Sequence, residues 1–240
     1  MIYVFRRSPS ESAKALAAAL GGRRVRTLSR LVRLLDREPG KVVCWGEHFP
    51  GGLNGDAPLR SKFTDAVLLK DAKVPTIEAV LPYPPLPYPL EGEWLCRWFN
   101  HVGGNDLLSA ERAKKHDGHI IVEYQVKKAN LLKEYRVHYM NGRSIRAGVK
   151  VPREGVPAHP WIRSFDGGWK VKYDGFHSTP VMRRRARKAV EALGLQFGAV
   201  DIGETSDGKL IVLEVNRAAG LEGGTITAYV EAIKEWAHED

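Results

Sequence analysis

The stretch Phe197-Gly-Ala-Val-Asp201-Ile-Gly-Glu-Thr-Ser-Asp207-Gly208-Lys-Leu-Ile-Val-Leu-Glu214-Val-Asn216 decides how the chain is read. Two strand-like runs flank Asp207-Gly208, the strongest short signal for a β-hairpin. With those two residues as the turn, Ser206 faces Lys209, Ile202 faces Leu213 and Asp201 faces Glu214. Directly opposed residues share a face with Cβ atoms roughly 5 Å apart. Asn216, two residues beyond Glu214, joins that face. Val200, Ile202, Leu213 and Val215 form the other, apolar face. Opposed carboxylates repel and normally weaken a strand pair. A cation resolves the conflict, and two carboxylates with an amide oxygen make a hard, all-oxygen site suited to Mg²⁺ carrying phosphate. A solvated acidic hairpin face is the plainer alternative.

Upstream lies a second hairpin. Glu134-Tyr-Arg-Val-His-Tyr-Met140 alternates, with Tyr135, Val137 and Tyr139 on one side, and Ile145, Ala147 and Val149 supply the apolar side of the return strand. A three-residue turn, Asn141-Gly142-Arg143, brings these sets into phase. Glu134 then opposes Lys150, Arg136 opposes Gly148 and His138 opposes Arg146. The polar side presents Arg136, Arg146 and Lys150, the kind of cation cluster that binds a triphosphate beside Mg²⁺. A solvated face with a surface ion pair is again the alternative.

The flanking segments are less decisive. Residues 2–6 and 41–45 read as strands around two helices, a β-α-α-β opening. Ser8 serves as N-cap of the first helix, with Pro9 as its first residue and Glu11 completing a capping box. Leu28, Leu31, Val32 and Leu35 form the apolar stripe of the second. Residues 61–72 make a further helix, and another is expected near 107–116. Pro82 to Pro89 carries five prolines in eight residues and reads as a stiff connector rather than a polyproline ligand. The Gly103-Gly104 pair between a strand and a helix can cradle phosphate through backbone N–H groups. Helix 181–193, capped by Thr179 and Pro180 and ended by Gly194, sets Arg183, Arg184, Arg185, Arg187 and Lys188 around a stripe of Met182, Ala186, Ala189, Val190 and Leu193. There is no GxxxxGK[ST] and no GxGxxG.

The 240 residues, 43% hydrophobic, suffice for a sizeable core. Two cysteines without CxxC spacing argue against a disulfide framework or a zinc site. With no signal-peptide pattern and no apolar run of about 20 residues, the expectation is a cytoplasmic protein with no membrane partner. A net charge of +9 favours acidic partners.

Asp201, Glu214-Val-Asn216 and the Gly220-Leu221 that follows resemble the metal-binding end of the ATP-grasp superfamily. Also similar is the order Lys62, Arg97 before the Gly-rich loop, Glu123 on a strand, Glu134-Tyr-Arg136-Val, and Lys150. The resemblance covers roughly residues 42–234 and is closest to short relatives of the glutamate ligase that modifies a ribosomal protein. It implies an α/β (α+β) ATP-grasp fold, with two α+β subdomains gripping ATP behind a small α/β subdomain at 1–60. The ATP-grasp domain would span 61–240, with a lid at about 92–126 and a metal- and phosphate-binding part at 127–240.

The resemblance also implies roles. Lys62 and Arg97 contact phosphates, although the second position is more often lysine in the family. Glu123, Tyr124, Gln125 and Val126 form the adenine hinge, and Glu134 lies near the ribose. Arg136 and Lys150 hold the transferring phosphoryl group. Asp201, Glu214 and Asn216 bind one or two Mg²⁺ ions. Ala219 stands where the family has a proline. The activity implied is an ATP-dependent carboxylate–amine ligase that works through an acyl phosphate and releases ADP and phosphate. Its partners would be a carboxylate and an amine, with an acidic peptide or a nucleic-acid-linked group as acceptor. An ATP-grasp kinase of a small molecule, or a basic nucleic-acid-binding protein without catalysis, are the alternatives. No sequence feature marks an oligomer interface.

Overall fold

The computed structural model describes residues 1–80, 94–97, 108–109, 124–127, 130–160 and 162–238. The proline-rich segment, Gly103, Gly104 and Glu123 lie outside them, as does most of the helix expected near 107–116. Leu108–Ser109, inside that range, is a strand.

The apolar runs Tyr3-Val-Phe5 and Val42-Val-Cys44 form the middle and one edge of a parallel sheet. Its strands are β1 (Ile2–Phe5), β2 (Arg23–Val25) and β3 (Lys41–Cys44), in the order β2-β1-β3. β2 is an addition to the expected β-α-α-β pattern; three residues with one buried side chain, Val25, leave little periodicity to read. Helix α1 (Glu11–Ala19) is capped by Ser10, whose hydroxyl accepts from Ala13 N at 3.2 Å, so the cap falls two residues later than Ser8. In α2 (Leu28–Arg37) Leu31 is buried and Leu34 and Leu35 pack against it, while Leu28 and Val32 are each 44% exposed. The expected stripe is thus rotated toward Leu34.

Helix α3 (Lys62–Asp71) follows its cap Ser61. Strands β4 (Ala79–Val80), β5 (Trp94–Arg97), β6 (Leu108–Ser109) and β7 (Tyr124–Lys127) form an antiparallel sheet ordered β4-β7-β5-β6. One strand of this sheet therefore comes from before the proline-rich segment.

The site is carried by the five-stranded antiparallel sheet β10-β9-β8-β11-β12. Its strands are β8 (Leu131–Met140), β9 (Arg143–Pro152), β10 (Trp169–Lys172), β11 (Phe197–Thr205) and β12 (Leu210–Asn216). One face is fully apolar: Tyr135, Val137, Ala147, Val200, Ile202 and Val212 pack under α4 (Pro180–Ala192). Thr179 caps α4 by accepting from Met182 N at 3.2 Å, Pro180 is its first residue and Gly194 follows it at φ +64°. Met182, Ala186, Ala189, Val190 and Leu193 form its buried stripe, as expected.

The other face changes character along the strands. At one end Met140 and Phe197 join a second core with Trp45, Leu16 of α1 and Tyr229 of α5 (Gly224–His238). Trp45 stacks on Phe197 with centroids 5.3 Å apart. Toward the other end the same face becomes charged. Asn54, at φ +61° and 4% exposed, ties the loop after β3 to β11. Its amide donates to Phe197 O (2.8 Å) and accepts from Gln196 N (2.6 Å) and Phe197 N (3.0 Å).

Candidate active site

Alternation along β8 sends Glu134, Arg136 and His138 to the charged face. Ladder partners extend each into a row across the sheet. Arg136 sits between Gly148 and Asp201, with Glu214 beyond. His138 sits between Arg146 and Ala199, with Asn216 beyond. Glu134 pairs with Gly203 on β11 and bonds Lys150 of β9.

The two hairpins reach this register by a route other than the expected turns. Asn141-Gly142 is a two-residue turn, with both residues at positive φ (49° and 74°), and it pairs Met140 with Arg143. The ladder then shifts between His138 and Tyr139, leaving Ile145 as the extra residue. Ile145 consequently packs against the second core, not beside Ala147 and Val149. In the other hairpin Thr205 N donates to Lys209 O, so the loop is Ser206-Asp207-Gly208, and Ile202 pairs with Val212 rather than Leu213. A bulge at Leu213 then restores the expected pairing of Asp201 with Glu214. Bulges sharpen local twist and re-aim side chains, and they concentrate beside active sites.

Arg136 grips Asp201 with two parallel bonds, Nε to Oδ1 and Nη2 to Oδ2, each 2.7 Å. Lys150 Nζ donates to Asp201 Oδ2 at 3.1 Å and to Glu134 Oε1. Lys62, the first residue of α3, bonds Glu214, whose other oxygen accepts from Asn216 Nδ2 at 2.9 Å. Three cations and three carboxylates therefore meet on one face of the sheet.

Their ionisation follows from burial set against neighbours. Burial alone would raise the Asp201 carboxyl, but Arg136 and Lys150 hold it below the ordinary range. Burial opposes the Lys150 charge, and Asp201 with Glu134 more than restores it. Glu134 moves up, because burial and the Asp201 charge outweigh its bond to Lys150. His138 has no exposed surface; burial and then Arg136 push it down to about 3, so its ring is neutral. It bonds two tyrosine hydroxyls, Tyr173 from Nε2 (2.9 Å) and Tyr229 from Nδ1 (3.2 Å). A neutral imidazole offers one donor and one acceptor, one for each tyrosine.

The structure thus brings together Lys62, Glu134, Arg136, Lys150, Asp201, Glu214 and Asn216. Arg97 and Tyr124–Val126 lie in β5 and β7, where Arg97 pairs with Tyr124. Gln125 and Val126 have a partner strand on both sides, so backbone groups that could read a base fall at the ends of β7. Sequence reasoning missed Tyr173, Tyr229 and Arg217. The last reaches from the loop after β12 to Asp65 of α3 (3.3 Å), locking Lys62's helix to that loop. His138 is visible in the sequence as a site-facing position, but nothing in its spacing announces two tyrosine partners. Among the described residues no three His, Cys, Asp or Glu side chains form a metal cluster. The third donor for a cation at Asp201 and Glu214 is the Asn216 amide oxygen, and that all-oxygen set fits Mg²⁺.

A sequence profile for an ATP-grasp domain, the third family of its clade, matches residues 104–233. The chain belongs to the ATP-grasp family. The ATP-grasp fold extends through the whole molecule. It is similar to the ATP-grasp ligase PsnB in complex with a minimal precursor (TM-score 0.68, 15% identity, 98% of both chains). It is also similar to D-alanine–D-alanine ligase from Bacillus anthracis (TM-score 0.64, 10% identity, 99% of this chain and 98% of that one). A third similar structure is the macrocyclase MdnC bound with precursor peptide MdnA from Microcystis aeruginosa MRC (TM-score 0.63, 11% identity, 100% and 99%). No curated protein sequence matches the chain. Among the described residues no helix is long and apolar enough to cross a membrane.

Proposed function

We propose that this ATP-grasp protein is an ATP-dependent carboxylate–amine ligase. The observation that carries the reading is the pairing of Asp201 with Glu214, held by Arg136, Lys150 and Lys62. A purely structural network gains little from facing two carboxylates, since desolvating ion pairs costs about as much as their attraction returns. The same groups are suited to a nucleotide triphosphate.

Asp201, Glu214 and Asn216 would hold Mg²⁺, which supplies charge neutralisation on the phosphates. Arg136 and Lys150 turn from Asp201 toward the transferring phosphoryl group, and Lys62 turns from Glu214 to another phosphate oxygen. A substrate carboxylate oxygen attacks the γ-phosphorus, and ADP leaves with the bonding pair. The amine nitrogen then attacks the acyl carbon, phosphate departs, and the nitrogen loses a proton. Positioning and electrostatics carry both steps, so no enzyme nucleophile is required. Glu134 is placed for the ribose, at the end of β8 that follows β7.

PsnB structures hold Mg and ADP, or a precursor peptide with AMPPNP, and MdnC holds a precursor peptide. Together with the +9 charge this favours a peptide as substrate, an acidic one in particular. A cytoplasmic location suits ATP use and the inert Cys44 thiol, which burial pushes up to about 12.

Calorimetric titration of MgATP into wild type and into the Asp201→Asn/Glu214→Gln variant, both checked for folding, tests the reading. Magnesium-dependent binding that the variant loses supports it. A folded wild type that binds no MgATP removes it. ADP release that needs no amine would point instead to a kinase.

A further inference from the structure

Arg146 is the cation of the charged face that the network leaves out. Arg136 and Lys150 are bonded to Asp201, and Lys62 to Glu214, whereas no ion pair among the described residues includes Arg146. Its Nε is buried without a hydrogen-bond partner. A buried charged donor left unmade costs stability, so such a group marks a place where something else completes it.

Its surroundings hold it in one direction. The guanidinium lies over the Tyr173 ring, 4.6 Å from the centroid. Tyr173 is fixed in turn by its bond to His138, the ladder partner of Arg146. On another side Gly224 opens α5, and a Cβ there would stand 2.4 Å from Arg146 Nη1. Glycine at 224 therefore leaves room for the arginine.

The row order gives the ligand class. Glu134 and Lys150 occupy the end of the face next to β7, where the base is expected. Arg136, Asp201 and Glu214 come next, where the phosphates would lie. Arg146 and His138 form the following row, beyond the terminal phosphate as seen from the base. Arg146 is four residues from Lys150 on β9, roughly 13 Å along an extended strand, too far for both to share one phosphoryl group. The group expected beyond the γ-phosphate is the acid that attacks it.

We propose that Arg146 binds the carboxylate that this protein activates. The assignment rests on the ligase reading above. One carboxylate oxygen is held on the planar guanidinium, whose fork matches it, and the other is left to face the γ-phosphorus.

The test uses the full chain as wild type, Arg146→Met and Arg146→Lys. MgATP is first titrated into each by calorimetry, which also checks that the site is folded. With MgATP saturating, acetate, L-glutamate and a hexaglutamate peptide are then supplied with hydroxylamine, and ADP release and hydroxamate are measured. The expected result is MgATP affinity within about twofold in all three proteins. Hydroxamate from the acid that wild type uses should fall about 10- to 100-fold in Arg146→Met, with a raised KM for the acid, and less in Arg146→Lys. MgATP binding weakened about tenfold by Arg146→Met would make Arg146 a phosphate contact and overturn the proposal. An unchanged KM for the acid overturns it too, as does a wild type that holds MgATP yet responds to none of the three acids. A wild type that binds no MgATP brings down the ligase reading itself, and this assignment with it.

Discussion

Asp201 and Glu214 face each other across β11 and β12 because Leu213 is one residue too many in β12. The three-residue loop at 206–208 sets a ladder that, unbroken, would oppose Asp201 with Leu213. Bulging Leu213 lets Val212 point into the core beside Ile202 while Glu214 points to the charged face. Ile145 does the same for the neighbouring hairpin, restoring Arg136 to Gly148 and His138 to Arg146.

The pair depends on its cations. Asp201→Ala leaves Arg136 buried without its counter-charge and takes one of two partners from Lys150. Breaking a buried pair on one side costs about 3–5 kcal/mol. Adding Arg136→Met should recover part of that loss, so the double variant is more stable than the sum of the two single ones. Urea denaturation of the full cycle measures the coupling. Additive losses would mean that the bidentate contact contributes nothing.

Acid should weaken the fold through His138. The folded ring stays neutral down to about 3, against an ordinary value of 6.5, so between these pH values the unfolded chain takes up the extra proton. Stability from this group is fully present above pH 6.5 and falls as pH drops toward 3, by about 1.4 kcal/mol per pH unit inside that window. Glu134, raised by burial, acts in the opposite sense above its ordinary 4.5. Comparison with His138→Gln isolates the imidazole: its melting temperature should depend less on pH between about 7 and 4.

Gly148 keeps Tyr173 in place. A Cβ there would meet Val171 Cγ1 at 2.6 Å, Lys172 O at 2.7 Å and Tyr173 Cδ1 at 2.9 Å. Two of these three atoms cannot yield without moving the backbone or a ring. Gly148→Ala should cost about 1–3 kcal/mol and displace Tyr173 from His138. Thermal melting reads the first effect. For the second, the pH dependence of melting should match that of Tyr173→Phe.

Asn54 combines a left-handed backbone with three bonds to Gln196 and Phe197. Asn54→Ala strains the backbone and strips buried amides of their acceptor, and a loss of about 2–4 kcal/mol follows. Asn54→Gly keeps the backbone permitted and loses only the bonds, so it should fall between alanine and wild type in chemical denaturation.

Much of this site is legible in the sequence because polar-in, apolar-out alternation fixes a strand's face regardless of its turn. Asp201–Glu214 and Arg136–Gly148 follow correctly from turns that differ from the real ones, since in each hairpin a different loop length is offset by a bulge. A bulge has no composition signal of its own, and Leu213 and Ile145 look like any apolar strand residue. The α4 helix is plain because its cap, its first-position proline and its terminal glycine agree with its stripe. The α2 stripe is harder to place because leucines and arginines alternate too densely there to separate Leu34 from Val32. The contacts of Arg217 with Asp65 and of His138 with Tyr229 join residues 152 and 91 positions apart, and no local pattern encodes them.

The interlocked charges have a kinetic consequence. Lys62, Arg136 and Lys150 balance Glu134, Asp201 and Glu214, so the resting cleft is nearly neutral when seen from solution. An incoming nucleotide meets no bare electropositive hole and feels little long-range pull from this cluster. It must trade places with carboxylates already seated on the same cations. Entry on such terms is an ion exchange, its speed governed by how often the internal pairs open rather than by diffusion.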